Sequence, residues 1–163
     1  MDDPGSKIWD ILTAVKNLKV IHLKRKNILR TLVSRAIAGK TDQWVQKADS
    51  HDTGSRTDKQ ILADKQIFIS PGECLDGFNE TRDREILFDR RFQHHDKIEV
   101  FYEDLTRHRA QELNRIQEFL GVDITPLSSG LVRQNPEPLS QLISNYSQLK
   151  KFFGDTQWSS FFQ

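Results

Sequence analysis

The sequence predicts an α/β fold in which short strands alternate with helices. Two observations support this class. The β-branched run Lys19–Lys24 leads straight into an apolar helical pattern from Asn27 to Gly39, and the alternating run Lys97–Leu105 leads into a second helical pattern that stops at Gly121. Because parallel strands are joined by long crossovers, usually helical, this order favours a small parallel sheet flanked by helices.

The N-terminal half contains the clearest helix signal. A short helix is predicted for Lys7–Leu18 and a strand for Lys19–Lys24. The helix after this strand has Asn27 as its predicted N-cap and Gly39 just past its end. Its predicted apolar face consists of Ile28, Leu29, Leu32, Val33 and Ile37.

The middle of the chain is less regular. Residues 41–65 are polar and rich in Gly, Ser and Asp turn signals, so we predict a long surface excursion there. Residues 66–70 are predicted to form a short strand ended by Pro71 and Gly72, and residues 73–95 a helix.

In the C-terminal half, Ile98, Val100 and Tyr102 alternate as in a strand. A helix ending at Gly121 follows, and one further helix is predicted near the C-terminus. We expect the terminal aromatic residues to dock onto the body of the protein. The last helix is marked by Leu142, Ile143, Tyr146 and Leu149, and the aromatic residues are Trp158, Phe161 and Phe162.

Composition favours one globular domain over residues 1–163, since 36% of the residues are hydrophobic and ten are Phe. The chain has no apolar run of about 18 residues, and it opens with two acids where a signal peptide needs a basic patch. A cytoplasmic protein without a membrane span is therefore predicted. Cys74 is the only cysteine, which excludes an internal disulfide and a cysteine zinc site.

Charge is segregated along the chain. Residues 11–41 contain eight Lys or Arg and no acid, whereas the remainder contains 16 basic and 23 acidic residues. The net charge of +1 gives no argument for whole-protein nucleic-acid binding, but the basic stretch favours a local anion site.

The predicted junction of strand and helix suits an anion. A helix N-terminus offers free backbone N–H groups and the positive end of a dipole, and Arg25 adds a planar group that pairs with phosphate oxygens. Ser34 lies in the second turn of the predicted helix, so its hydroxyl reaches the same anion only if the anion lies along the flank of that helix. The alternative is that Lys24–Lys26 form a solvated turn, with Arg30 and Arg35 exposed on the helix.

The stretch "KVIHLKRKNILRTLVS", followed by "VFYEDL", "IQEFLGV" and "LVRQNPEPLSQLISNYSQL", resembles the PAPS-dependent sulfotransferases, in the style of the bacterial carbohydrate and glycolipid type. The resemblance covers Lys16 to Phe162. It implies a partial P-loop-like sulfotransferase fold. It also implies transfer of a sulfuryl group from PAPS, 3′-phosphoadenosine 5′-phosphosulfate, to a hydroxyl of a carbohydrate or similar acceptor, with neither a metal nor a nucleic-acid partner.

The resemblance also implies roles for particular residues. Arg25 and Ser34 match the family's strand-end arginine and helix serine, which bind the ribose 3′-phosphate of the donor. In the shorter register of many family members, Lys26 would replace Arg25. Arg133 lies where related enzymes often place a basic residue near the nucleotide, although it also suits a surface arginine. Glu103, in "YEDL", is expected to cap or brace a turn.

The family's phosphosulfate-binding loop has no match before Lys19, and its usual catalytic base tends to lie in the same absent part. We therefore expect a C-terminal portion of the fold, truncated at its N-terminus, and assign no catalytic residue. The residues present do not predict that this chain transfers a sulfuryl group on its own. His94 and His95 are interpreted as exposed. Gly39–Thr41, which mimics the end of a nucleotide-binding loop, is interpreted as a helix stop.

Two other function classes remain open. The first is a catalytically silent nucleotide-binding or interaction remnant of the same fold. The second is a nucleic-acid-binding module built on the basic helix, which the lack of interleaved aromatic residues in the basic stretch disfavours.

Overall fold

The protein has an α/β fold, seen in a computed structural model that describes residues 4–44, 57–130 and 134–163. Within these ranges, two strands pair in parallel to form a small sheet, and eight α-helices accompany them. The fold class predicted from the sequence is therefore confirmed.

The strands are β1, Lys19–Lys24, and β2, Asp96–Phe101. The helices are α1 Pro4–Ala14, α2 Ile28–Thr41, α3 Asp58–Lys65, α4 Pro71–Arg91, α5 Tyr102–Arg107, α6 Arg109–Leu120, α7 Leu139–Leu142 and α8 Tyr146–Phe152, followed by a 3-10 turn at Ser159–Phe162. The two strands and the helices α1, α2, α4 and α6 lie in the predicted order, and the remaining elements differ from the prediction.

The chain divides into two compact units. The sheet unit comprises residues 1–26 and 81–127, and the helical unit comprises residues 27–80 and 128–163. A single domain over residues 1–163 remains a prediction.

The sheet unit is built on the parallel pair, in which Lys19 lies opposite Asp96 and Lys24 lies opposite Phe101. An aromatic cluster joins α1 to the second half of α4. The ring centroids of Trp9 and Phe88 are 5.0 Å apart, and the two rings meet edge to face. This geometry adds a preferred orientation to the hydrophobic burial.

The helical unit contains a continuous apolar core. Phe153 stacks on Phe162 with centroids 5.3 Å apart, and Phe78 contacts Phe153 at 5.6 Å. The terminal aromatic residues are buried, so their predicted docking is confirmed. Fully buried members of this core are Leu29, Val33, Cys74, Phe78, Leu142, Ile143, Leu149, Phe153 and Phe162.

Helix α2 begins as predicted but ends later. Asn27 caps it by accepting a hydrogen bond from the backbone N–H of Arg30. Gly39 does not stop it, because the helix continues to Thr41 and ends at Asp42, which has a φ of 53°. A glycine inside a helix costs only about 1 kcal/mol. The hydroxyl of Thr41 also supports the last turn by donating to the carbonyl of Ile37.

The polar excursion predicted at 41–65 is wrong at its C-terminal end, where α3 forms. Thr57 and Gln60 make a capping box, in which each side chain accepts a hydrogen bond from the other residue's backbone N–H. The signal for this box was present in the sequence. Residues 45–56 of the predicted excursion lie outside the described residues.

The strand predicted at 66–70 is reduced to one parallel bridge between Ile67 and Ile143. Pro71 opens α4 and does not merely end the strand, since proline is favoured at the first helical position. Ser70 and Glu73 form a second capping box there. Tyr102, predicted as a strand residue, begins α5.

The single C-terminal helix that the sequence predicted is two helices, α7 and α8. The chain is extended at Ile143, where it takes part in the bridge. Asn145 fixes this break, because its buried amide donates to the carbonyl of Ile69 at 2.8 Å and accepts from the Ile69 N–H at 3.4 Å. Over the described ranges, every helix is too short or too polar to cross a membrane.

Candidate anion site

The predicted passage from strand to helix is confirmed. Strand β1 ends at Lys24, and Arg25 and Lys26 lead to Asn27, the N-cap of α2. The amide of Asn27 also donates to the carbonyl of Phe161 at 3.0 Å, which ties the cap to the C-terminal segment.

The guanidinium of Arg25 lies over an aromatic ring. Its guanidinium carbon lies 3.7 Å from the ring centroid of Tyr102, and its Nη1 lies 3.7 Å from Oε1 of Glu103. The side chain is 27% exposed. In the described part of the chain, no hydrogen bond to the guanidinium is formed, so its N–H groups remain able to donate to an anion.

Helix α5 braces the turn through its first acidic residues. Glu103 accepts a hydrogen bond from the backbone N–H of Lys26 at 3.0 Å, and Asp104 lies 2.6 Å from the ammonium of Lys26. The expected bracing role of Glu103 is confirmed. Two nearby carboxylates therefore offset part of the positive charge at this turn.

Lys24 is not part of a solvated turn. Its ammonium lies 3.1 Å from Asp89 and 2.5 Å from Glu99, and its side chain is only 11% exposed. Burial lowers the pKa of Lys24, but the hydrogen bonds to Glu99 and Asp89 outweigh burial and raise this pKa overall. Because its charge is already paired, Lys24 is not available to a ligand.

A cluster of ionisable side chains lies beside Lys24 in the sheet unit. His22, Asp89 and Glu99 place potential metal-ligating atoms within 4.8 Å of one another. However, Lys24 bonds to both carboxylates and Lys97 also bonds to Asp89, so ammonium groups already hold the position that a cation would take. This arrangement is typical of a structural ion network.

We expect the stabilising effect of Asp89 to depend on pH. The hydrogen bond from Lys97 chiefly lowers the pKa of Asp89 from 3.8 to about 2. The pKa of Asp89 is lower in the folded state than in the unfolded state. The stabilisation that its carboxylate gives is therefore complete above about pH 4 and is lost as the pH falls towards 2.

Asp89→Asn should therefore lower the free energy of unfolding by about 1 kcal/mol near neutral pH. Urea unfolding at several pH values should show this difference shrinking below pH 4. Asp83→Asn, at an exposed position on the same helix, is the control. A difference between Asp89→Asn and the wild type that stays constant from pH 7 to pH 2 would contradict the network.

Ser34 lies on α2 in the helical unit, where it is partly buried. Its hydroxyl oxygen accepts a hydrogen bond from the side-chain amide of Asn135 at 3.4 Å. Arg30 is not the exposed position that one interpretation expected, because its guanidinium donates to the carbonyls of Asn135 and Glu137. Arg35 is exposed, as that interpretation expected.

Three further residues named in the sequence analysis are Arg133, His94 and His95. Arg133 lies outside the described residues. His94 is exposed, but His95 is partly buried, because its ring packs against Phe92 with centroids 5.6 Å apart. The expectation of two exposed histidines is therefore wrong for His95.

Three residues around Arg25, Ser34 and Lys24 were not predicted. Tyr102 was assigned to the face of a strand, and neither Asn135 nor Asp89 was assigned a role. The tyrosine and Glu103 are adjacent in "YEDL", which is the only local signal for the stacking contact with Arg25.

Comparisons with known proteins give a distant relationship. No protein-family model matches the sequence, and no solved structure matches it significantly. The chain is similar to nodulation protein H. Two forms of that protein, from Rhizobium meliloti and from its strain 1021, are 28% and 27% identical to the chain over 155 residues. The alignments cover 93% of this chain and 59% of each relative, so the chain spans about three fifths of their length.

Proposed function

We propose that this chain is a sulfotransferase-family protein that transfers a sulfuryl group from PAPS to a hydroxyl of a carbohydrate or similar acceptor. Within that reaction, the chain supplies the part of the donor site that binds the ribose 3′-phosphate. Similarity to nodulation protein H over nearly the whole chain supports the family assignment. The donor and the acceptor class are what the resemblance of the ordered motifs to the PAPS-dependent sulfotransferases implies.

The observation that chiefly supports the phosphate role is the state of Arg25. The guanidinium lies over the ring of Tyr102 and near Glu103, while its N–H groups stay without hydrogen-bond partners among the described residues. A planar guanidinium donates two parallel hydrogen bonds to phosphate oxygens. In this proposal Arg25 makes that pair of bonds, Ser34 donates its hydroxyl to the same phosphate, and Arg133 contributes a further positive charge near the nucleotide.

The structure also favours Arg25 over Lys26 as the phosphate ligand. The ammonium of Lys26 is paired with Asp104 at 2.6 Å, whereas Arg25 has its nearest carboxylate oxygen at 3.7 Å. Binding phosphate through Lys26 would require its pairing with Asp104 to be shared or broken. We therefore assign the strand-end role to Arg25.

Calorimetry with adenosine 3′,5′-bisphosphate, the desulfated form of the donor, tests this proposal. We expect binding in the micromolar range, roughly −8 kcal/mol. Adenosine 5′-monophosphate, which lacks the 3′-phosphate, should bind about tenfold or more weakly, because charge-assisted hydrogen bonds are lost. A folded chain that binds neither nucleotide, or that binds DNA with a steep salt dependence, would overturn the proposal.

A second candidate is a nucleotide-binding protein of the same fold without transfer activity. An assay of sulfuryl transfer from PAPS to carbohydrate acceptors separates the two candidates, since nucleotide binding without transfer would support the second.

A further inference from the structure

Among the described residues, no group accepts the hydroxyl proton of Ser34. A hydroxyl has one proton to donate and two positions that accept. The amide of Asn135 donates to the hydroxyl oxygen of Ser34, and within the described ranges this is the only hydrogen bond of that side chain. One accepting position is therefore occupied while the proton remains available.

Ser34 also differs from a second hydroxyl on the same helix. Helical Ser and Thr commonly donate to the carbonyl one turn earlier. Thr41 does so, with its hydroxyl 2.9 Å from the carbonyl oxygen of Ile37. Ser34 makes no such bond to the carbonyl of Arg30. The hydroxyl of Ser34 is therefore hydrogen-bonded to Asn135 and not to its own helix.

Asn135 is held firmly in this position. Arg30 donates to its carbonyl at 3.4 Å and to the carbonyl of Glu137 at 3.1 Å. Lys65 donates to the carbonyl of Gln134 at 2.9 Å and pairs with Glu137 at 2.7 Å. These contacts fix the backbone on both sides of Asn135 to α2 and α3, so the amide reaches Ser34 from a defined position.

We infer that Asn135 is a positioning residue for the donor. Its amide holds the hydroxyl oxygen of Ser34, so that the hydroxyl proton points to a phosphate oxygen and not to the carbonyl of Arg30. This inference rests on the proposed function, because it requires Ser34 to bind the ribose 3′-phosphate. It adds to that function a residue that acts through Ser34 without touching the nucleotide.

Calorimetry on the full chain, with adenosine 3′,5′-bisphosphate and adenosine 5′-monophosphate as the two probes, tests the inference. Asn135→Ala should weaken bisphosphate binding about fivefold to tenfold and leave monophosphate binding unchanged. In a Ser34→Ala background, the same change should cause no further loss, because the two residues act as one unit. Ser147→Ala, at an exposed serine on α8, is the control and should leave both affinities unchanged.

Asn135→Asp provides a second variant of nearly the same shape. Its carboxylate would accept the proton of Ser34 and repel the phosphate, so we expect a larger loss of bisphosphate affinity than with Asn135→Ala. This isosteric variant decides the matter if Asn135→Ala fails to fold, as judged by circular dichroism.

Failure of the inference and failure of the proposed function are distinguishable. A wild-type chain that binds both probes equally would overturn the proposed function and the inference with it. A wild-type chain that prefers the bisphosphate, with Asn135 variants that keep this preference, would overturn only the inference. Two further results would also overturn the inference. One is a double variant whose loss of bisphosphate affinity equals the sum of the losses from Ser34→Ala and Asn135→Ala, and the other is an Asn135→Ala variant that loses the same affinity for both probes.

Discussion

Replacing Arg25 with alanine is expected to weaken binding of adenosine 3′,5′-bisphosphate by between tenfold and a hundredfold. The guanidinium supplies charge-assisted hydrogen bonds that together are expected to be worth about 1.5–3 kcal/mol, because water replaces part of the pair in the variant. Arg25→Lys should recover only part of this loss, because an ammonium neither forms the bidentate pair nor stacks well on Tyr102. Calorimetry with the bisphosphate, and with the monophosphate as the comparison ligand, measures both effects.

Two further variants make this prediction specific to Arg25. Arg35→Ala removes the same charge from an exposed position on α2 and should leave the affinity nearly unchanged. Lys26→Ala removes a charge that Asp104 already pairs, so it should have a small effect. A large loss with Lys26→Ala and none with Arg25→Ala would show that the phosphate is bound in the shorter register.

The largest expected effect on stability is that of Phe153→Ala, which should lower the free energy of unfolding by about 3–5 kcal/mol. The ring is 1% exposed and contacts Phe162 and Phe78 in the core of the helical unit. Its removal leaves a cavity and breaks the contacts with these two buried rings. Urea unfolding monitored by circular dichroism gives the change directly.

The preceding residue is a matched control. Phe152 is the last residue of α8 and is 60% exposed, although one edge-to-face contact joins its ring to that of Phe153, with centroids 5.0 Å apart. Phe152→Ala should therefore change the free energy of unfolding by less than about 1 kcal/mol. Equal losses for the two variants would mean that the C-terminal segment is not packed as described.

The elements that were predicted well from the sequence are those whose signals come from residues close together along the chain. Strand β1 matches its predicted bounds, because a β-branched run is a local property. The cap at Asn27 and the left-handed Gly121 at the end of α6 were likewise visible as single residues at the right spacing. Gly39 shows the limit of such signals, since glycine permits a helix end without requiring one.

The charge pattern could be interpreted only with the structure. The basic stretch suggested a concentration of free positive charge, but Lys24 is paired with Asp89 and Glu99, which lie 65 and 75 residues further along the chain. Lys26 is paired with Asp104. Periodicity and spacing carry no information about such distant partners, so the sequence alone could not identify Arg25 as the residue that keeps N–H groups to donate.

The same reason explains why the support of Ser34 was missed. Asn135 lies 101 residues from Ser34 along the chain, and only the folding of the helical unit brings them together. The break between α7 and α8 is similar, because it depends on the pairing of Asn145 with the backbone of Ile69, 76 residues away. Local apolar spacing predicted one continuous helix there.

Mapping of backbone amide shifts by NMR, during titration of the isotope-labelled chain with adenosine 3′,5′-bisphosphate, tests the central claim most directly. We expect the largest shifts at residues 25–34, with smaller shifts at Asn135, and much weaker shifts at these residues when adenosine 5′-monophosphate is brought to the same concentration. Shifts confined to α6, Arg109–Leu120, or identical shifts with both nucleotides, would contradict the assignment of the 3′-phosphate to Arg25 and Ser34.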